Sequence, residues 1–139
     1  MNNNIFLSII IPTYNDIEEL DKLCESIFKN KINNIEVIIV DDGSKISLNN
    51  IINKYPIKYF KIKNSGPSFA RNYGASKAAG EKLLFLDSDT IIPQNMLRKI
   101  FDYSKNYNYD VTSIFYSAEP SNNGLAQRFK SYFDYFNNV

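Results

Sequence analysis

Lys82-Leu83-Leu84-Phe85-Leu86-Asp87-Ser88-Asp89-Thr90 is the stretch on which the fold turns. Its unbroken apolar run describes a short strand buried on both faces of a sheet. The run stops at two aspartates separated by one serine. In an extended backbone alternate side chains point the same way, so both carboxylates are expected to leave the strand end on one side. Two carboxylates that close repel each other unless a cation or a proton sits among them. A hard divalent ion such as Mn2+ or Mg2+ takes oxygen ligands, commonly one or two carboxylates plus a substrate's phosphates. Asp87 and Asp89 are therefore candidate metal ligands at the carboxyl end of a strand, where open α/β sheets bind ligands. A polar turn after a strand has the same composition, so the motif needs support from its surroundings.

Upstream, the same pattern recurs. Ile5-Phe6-Leu7-Ser8-Ile9-Ile10-Ile11 is a first buried strand, and Pro12 is expected to end it, because proline cannot serve a central ladder. Thr13-Tyr14-Asn15-Asp16 follows as a polar loop, with Asn15 or Asp16 placed to cap the next helix. That helix runs to about Phe28 and carries Leu20, Leu23, Cys24 and Ile27 on one apolar stripe. Ile35 to Val40 is a second strand, ending on Asp41-Asp42-Gly43-Ser44. No strand follows at hairpin distance, so this turn does not close a hairpin. Leu48 to Tyr55 is a short helix stopped by Pro56, and Ile57 to Ile62 is a strand near the sheet edge with its lysines outward. Asn64-Ser65-Gly66-Pro67-Ser68 opens a helix over Phe69 to Ala79, with Gly80 as its stop. Arg71 lies about one turn into that helix, near its positive end, where a guanidinium can hold a phosphate or a base.

Downstream of Asp89, a helix is expected from about Gln94 to Tyr107, with Met96, Leu97, Ile100 and Phe101 inward. A strand follows over Val111 to Tyr116, then an aromatic helix over Leu125 to Phe136. The basic flank of this last helix is thin, so docking or a protein contact fits it better than a peripheral membrane surface. Strand–helix alternation throughout gives an α/β fold: an open, mostly parallel sheet with helices on both faces, in a single domain over residues 1–139. A topological switch point between the first and fourth strands would gather Thr13-Tyr14, Asp41-Asp42, Arg71 and Asp87-Asp89 in one crevice.

Composition narrows the function classes. A hydrophobic fraction of 44% over 139 residues belongs to a globular domain with a real core. A net charge of +1 offers nucleic acid no electrostatic drive. The lone Cys24 excludes an intrachain disulfide framework and suits a reducing compartment. The sequence has no histidine, which removes the commonest neutral-pH base and the usual zinc ligand. Met1-Asn2-Asn3-Asn4 is not the basic start of a signal peptide, and no apolar run has the length of a membrane span. A cytoplasmic location, including the cytoplasmic face of the membrane, is the expectation.

Ser8-Ile9-Ile10-Ile11-Pro12-Thr13-Tyr14-Asn15, Val37-Ile38-Ile39-Val40-Asp41-Asp42-Gly43-Ser44, Gly66-Pro67-Ser68-Phe69-Ala70-Arg71-Asn72-Tyr73-Gly74 and Phe85-Leu86-Asp87-Ser88-Asp89 resemble, in order and spacing, the motifs of the family-2 glycosyltransferases of the GT-A fold. The resemblance covers roughly Ile5 to Tyr116 and implies the Rossmann-like nucleotide-binding half of that fold. It implies a nucleotide-diphosphate sugar donor, most often UDP-linked, metal assistance by Mn2+ or Mg2+, and inversion at the anomeric carbon. The implied acceptor is a glycan or lipid-linked molecule of cell-envelope polysaccharide synthesis. The implied nucleotide-sugar contacts are Pro12, Thr13, Tyr14, Asp41, Asp42, Gly66, Arg71, Asp87 and Ser88. Thr13 and Tyr14 would border the nucleotide, Asp41 would hydrogen-bond the base, Arg71 would sit near the base and the Asp89 loop, and Asp87 would meet the ribose or sugar. Asp89, with Asp87, would hold the metal that bridges the diphosphate.

Transfer also needs a base for the acceptor hydroxyl's proton. In that family the base is an acid well beyond the metal motif. Glu119 is the sole acid in the loop after Val111–Tyr116, and its surroundings do not match the family's later motif. The expectation is an amino-terminal, donor-binding portion that lacks the acceptor half. A non-catalytic nucleotide-sugar-binding module is a second reading. A haloacid-dehalogenase-type phosphatase is a third, resembled by Phe85 to Thr90, although that family carries its motif on the first strand.

Overall fold

The structure is a computed structural model and describes residues 4–108. Its elements run β1 (Leu7–Thr13), α1 (Ile17–Lys29), β2 (Ile35–Asp41), α2 (Asn49–Lys54), β3 (Lys58–Lys61), α3 (Pro67–Ser76), β4 (Lys82–Phe85) and α4 (Met96–Asn106). The strands form one four-stranded sheet in the order β3-β2-β1-β4, and every neighbouring pair is parallel. The chain steps outward from β1 to β2 to β3, then returns to place β4 on the far side of β1. The switch point thus lies between β1 and β4, as the sequence predicts. The strand and helix expected over Val111–Tyr116 and Leu125–Phe136, and Glu119, lie outside the described residues.

Side-chain alternation divides the packing. Leu7, Ile9 and Ile11 of β1, with Val37 and Ile39 of β2, face a core closed by Leu20, Leu23, Cys24 and Ile27 of α1, Ile51 of α2, and Leu97 and Phe101 of α4. Ile10, Ile38 and Val40 face the other way and pack on Ala70 of α3. Helices therefore cover both faces. The stripe read on α1 is the buried set. Cys24 belongs to that core, and burial pushes its thiol up to about 12, which makes it an inert packing group.

The structure corrects four local expectations. Pro12 does not end β1; it sits inside the strand, opposite Val40. Ile10 O accepts from Leu86 N, on the β4 side, and Thr13 O accepts from Asp42 N, on the β2 side. Bonding groups alternate sides along a parallel strand, so the nitrogen of Pro12 faces β4. The last pair with β4 is Ile10↔Phe85, so the missing donor falls where that neighbour has already left. Second, β4 is not buried on both faces: among the described residues it is the sheet edge, with Leu83 43% and Phe85 44% exposed. Third, Asp87 and Asp89 do not follow one another along an extended strand. The chain turns, and Thr90 N donates to Asp87 O at 3.0 Å.

Fourth, α3 starts at Pro67 and ends at Ser76, before Gly80. Gly80 serves close approach instead. Its N–H donates to Ser8 Oγ at 2.9 Å, and a Cβ there would lie 2.6 Å from Ser8 N. Gly74 lets α3 down onto the sheet, since a Cβ at that position would lie 2.5 Å from Ile10 Cγ2. Both glycines are set by contact. Gly74→Ala and Gly80→Ala are expected to destabilise the fold by about 1–3 kcal/mol each, the usual cost of overpacking. Gly80→Ala should be the worse, because it meets backbone. Urea unfolding midpoints of the two variants against wild type check this.

Candidate functional site

The carboxyl ends of β1 and β4 diverge beyond Ile10↔Phe85, and a cleft of about 390 Å3 opens there. Pro12, Thr13 and Tyr14 line it from the end of β1, and Asp16 from the start of α1. Asp42 reaches it from the end of β2, Pro67 and Arg71 from α3, and Asp87, Ser88 and Asp89 from the turn after β4. A second hollow of about 410 Å3 lies at the opposite end of the sheet, against Ile5, Ile32, Asn33, Asn34 and Ile35. It carries no charged side chain. The convergent polar groups make the carboxyl-end cleft the candidate site.

Of the residues singled out by sequence, eight line this cleft: Pro12, Thr13, Tyr14, Asp42, Arg71, Asp87, Ser88 and Asp89. Gly66 stands just behind it. Its backbone lies at φ 91° and ψ 160°, a conformation open to glycine, where it caps α3 ahead of Pro67. Asp42 holds this loop: Oδ1 accepts from Ser65 N at 2.7 Å and Oδ2 from Gly66 N at 2.9 Å. Asp41 does not line the cleft. It is fully buried, and its oxygens accept from Ser44 N and the Tyr59 hydroxyl, both at 2.7 Å. Asp41 is the last residue of β2 and turns to Tyr59 and Ser44, while Asp42, the first residue beyond the strand, turns to Ser65 and Gly66.

Arg71 and Asp87 meet across the cleft, Nη2 to Oδ1, at 2.5 Å. Their side chains are 34% and 44% exposed, so the pair contributes little to stability. Ser88 Oγ donates to Asp16 Oδ2 at 2.5 Å. The sequence offers Asn15 or Asp16 as the helix cap; Asp16 takes that position, yet its side chain makes no capping hydrogen bond. Its neighbour Asn15 adopts φ 55° and ties the loop to the end of β2, accepting from Lys45 N and donating its own N–H to Ser44 Oγ, both at 2.8 Å. The available signal for Asp16 was its place at the end of the strand that neighbours β4.

The donor set suits a hard divalent cation. Asp89 is exposed in the cleft and, among the described residues, its carboxylate has no hydrogen-bond or ion-pair partner. Asp87 has Oδ1 on Arg71, and its second oxygen remains for another contact. Among the described residues no three His, Cys, Asp or Glu side chains are grouped to hold a metal. An ion here would take most of its ligands from phosphate and water, which is the habit of Mg2+ beside nucleotides. The Thr13 hydroxyl is buried and has no partner among the described residues. A buried unpaired hydroxyl carries a cost that a ligand's hydrogen bond would relieve.

Residues 8–138 match the family model for glycosyl transferase family 2. The minor teichoic acid biosynthesis protein GgaA of Bacillus subtilis is 41% identical over 126 residues, covering 81% of this chain and 28% of that protein. The cholesterol galactosyltransferase of Borreliella burgdorferi is 34% identical over 116 residues, covering 79% of this chain and 32% of that one. Among solved structures, S. aureus TarS 1-349 in complex with UDP superposes with a TM-score of 0.65 at 30% identity, over 72% of this chain and 32% of that one. The Mycobacterium tuberculosis glucosyl-3-phosphoglycerate synthase, solved with Mn2+ and UDP, shares the fold at a TM-score of 0.55 and 16% identity, over 68% of this chain and 37% of that one. The chain spans less than a third of GgaA, the galactosyltransferase and TarS 1-349.

Two buried carboxylates, Asp41 at the carboxyl end of β2 and Glu36 near its amino end, set an acid limit on the fold. Burial pushes Asp41 up, but Ser44, Tyr59 and Lys61 outweigh it and hold the carboxyl below its ordinary 3.8. Burial likewise acts on Glu36, and Lys58, Ser8 and the Ala79 N–H hold it below its ordinary 4.5. A lowered folded-state value means the unfolded chain binds these protons more tightly. The stability they contribute is complete above those ordinary values and is lost as pH falls through the lowered ones. Urea midpoints should therefore drop steeply below about pH 4, and Asp41→Asn should flatten part of that slope. Tyr59→Phe should cost about 1–3 kcal/mol at pH 7, by leaving a buried carboxylate oxygen without its donor.

Proposed function

We propose, from the premise that this chain belongs to glycosyl transferase family 2, that its cleft receives the nucleotide-diphosphate end of a sugar donor, with UDP the expected nucleotide. The observation that carries this reading is an unengaged Asp89 carboxylate sharing a cleft at the sheet's switch point with the Arg71 guanidinium. The UDP complex of TarS, a relative at 30% identity, supports the choice of nucleotide. The Mn2+ and UDP in glucosyl-3-phosphoglycerate synthase support a divalent ion.

In this reading Asp89 is the protein's principal metal ligand, with the free oxygen of Asp87 beside it. A bound divalent ion supplies positive charge to the leaving diphosphate. Arg71 fixes Asp87 and keeps a cation beside the phosphates. Thr13 and Tyr14 border the nucleotide. Asp42, rather than Asp41, is the acid of its motif assigned to the nucleotide, because Asp42 lines the cleft and Asp41 does not. Asp42 meanwhile holds Ser65 and Gly66, and so sets the wall from which Pro67 and Arg71 project.

The proton acceptor for the sugar acceptor's hydroxyl is not among the described cleft acids. Asp16 holds Ser88, Asp42 holds two backbone N–H groups, Asp87 holds Arg71, and Asp89 is given to the metal. The described residues thus act as a donor-binding portion. Transfer with inversion to a glycan or lipid-linked acceptor is assigned to the protein with its base in place. Among the described residues no helix is long and apolar enough to cross a membrane. The proposed setting is the cytoplasm or the cytoplasmic membrane face. The phosphatase reading finds no support, since Asp87 follows the fourth strand and is paired to Arg71.

Calorimetric titration of UDP and GDP, with and without Mn2+, tests this. UDP should bind more tightly with Mn2+, and Asp89→Asn should remove at least about tenfold of that metal-dependent affinity. UDP affinity that ignores both Mn2+ and Asp89→Asn would contradict the reading.

A further inference from the structure

Asp16 stands at the cap position of α1, where an aspartate normally turns a side-chain oxygen onto the helix's own N–H groups. Here its backbone C=O accepts from Leu20 N at 3.3 Å, but the side chain makes no capping bond. The carboxylate is spent elsewhere. Oδ2 accepts from Ser88 Oγ, a residue 72 positions away in the chain. Ser88 lies between the two aspartates of the metal motif, in the turn closed by Thr90 N–H on Asp87 O. Arg71 grips Asp87 from α3, which packs on the other face of the sheet from α1.

We propose that Asp16 is a positioning residue: its bond to Ser88, opposed by Arg71 on Asp87, pins the turn from both faces of the sheet and so aims Asp89 into the cleft. The loop has two of its three motif side chains held, and the third, Asp89, has no partner among the described residues. Forgoing a helix cap for a contact across the cleft is the choice expected of a group that serves the site. The role needs an acceptor oxygen on Asp16 and a hydroxyl at position 88, but not the charge of Asp16. It rests on the donor-site reading for its consequence and on the turn's geometry for its existence.

Two readouts on the full chain separate those levels. Amide hydrogen exchange at Thr90 reports the turn without any ligand, and the gain in UDP affinity on adding Mn2+ reports the aim of Asp89. Asp16→Ser restores a helix cap but is too short to hold Ser88, so it tests the strap without unfolding α1. Asp16→Ser and Ser88→Ala should each speed Thr90 exchange and cut the Mn2+-dependent gain about tenfold, the usual cost of losing a group that orients a metal ligand. The double variant should lose no more than either single one. Asp16→Asn and Ser88→Thr, which keep the acceptor and the hydroxyl, should retain most of the gain. Unchanged Thr90 exchange, losses that add, or an Asp16→Asn as damaging as Asp16→Ser would overturn the proposal. A wild-type chain with no Mn2+-dependent gain counts against the donor reading alone, and Thr90 exchange still decides the strap.

Discussion

A proline without an N–H, placed inside β1, one of the two interior strands of the described sheet, is the constraint from which the site follows. At position 12 the chain cannot donate toward β4. Pairing on that side ends at Ile10↔Phe85, while pairing on the β2 side continues to Thr13↔Asp41. One strand thus keeps one neighbour and releases the other. The released segment is free to turn, and that turn carries Asp87, Ser88 and Asp89. The opening lies at the switch point, where the connections to β2 and to β4 run to opposite sides and leave a crevice between them.

Magnitudes separate what holds the fold from what is left for chemistry. Ile9, Ile10, Ile11, Ile38 and Ile39 are fully buried, and each such side chain is worth roughly 1.5–3 kcal/mol over exposure. The half-exposed Arg71–Asp87 pair is worth about 0–1 kcal/mol. The cleft's charges are therefore not what keeps the sheet together. Where a carboxylate is structural, it is deeply buried and fully engaged, as Asp41 is with Ser44 and Tyr59. Of the acids that line the cleft, Asp42 is likewise buried and engaged, by Ser65 and Gly66, whereas Asp87 is only half-buried and Asp89 is held by no described residue.

Much of this was legible in the residues. Strand–helix alternation gave the parallel sheet and its switch point, and the stripe on α1 gave the inner face. The motif ends gave eight of the cleft's ten lining residues. What escaped depended on neighbours distant in sequence. Pro12 reads as a strand breaker until the length of β4 is known. The apolar run of β4 reads as buried on both sides, yet Leu83 and Phe85 are open among the described residues. Asp16 reads as a cap until Ser88 is placed beside it. The separate contacts of Asp41 and Asp42 were not legible, because they depend on Tyr59, Ser65 and Gly66, which are distant in sequence.

The central claim is that the notch opened at Pro12 is a donor site whose free acid is Asp89. The most direct measurement is a crystal structure of the chain with UDP and Mn2+. The account predicts the diphosphate in the cleft beside Arg71, the ion on Asp89, the base toward Asp42, and Asp41 still bonded to Tyr59. A nucleotide seated at the opposite end of the sheet, or an ion held without Asp89, would contradict it.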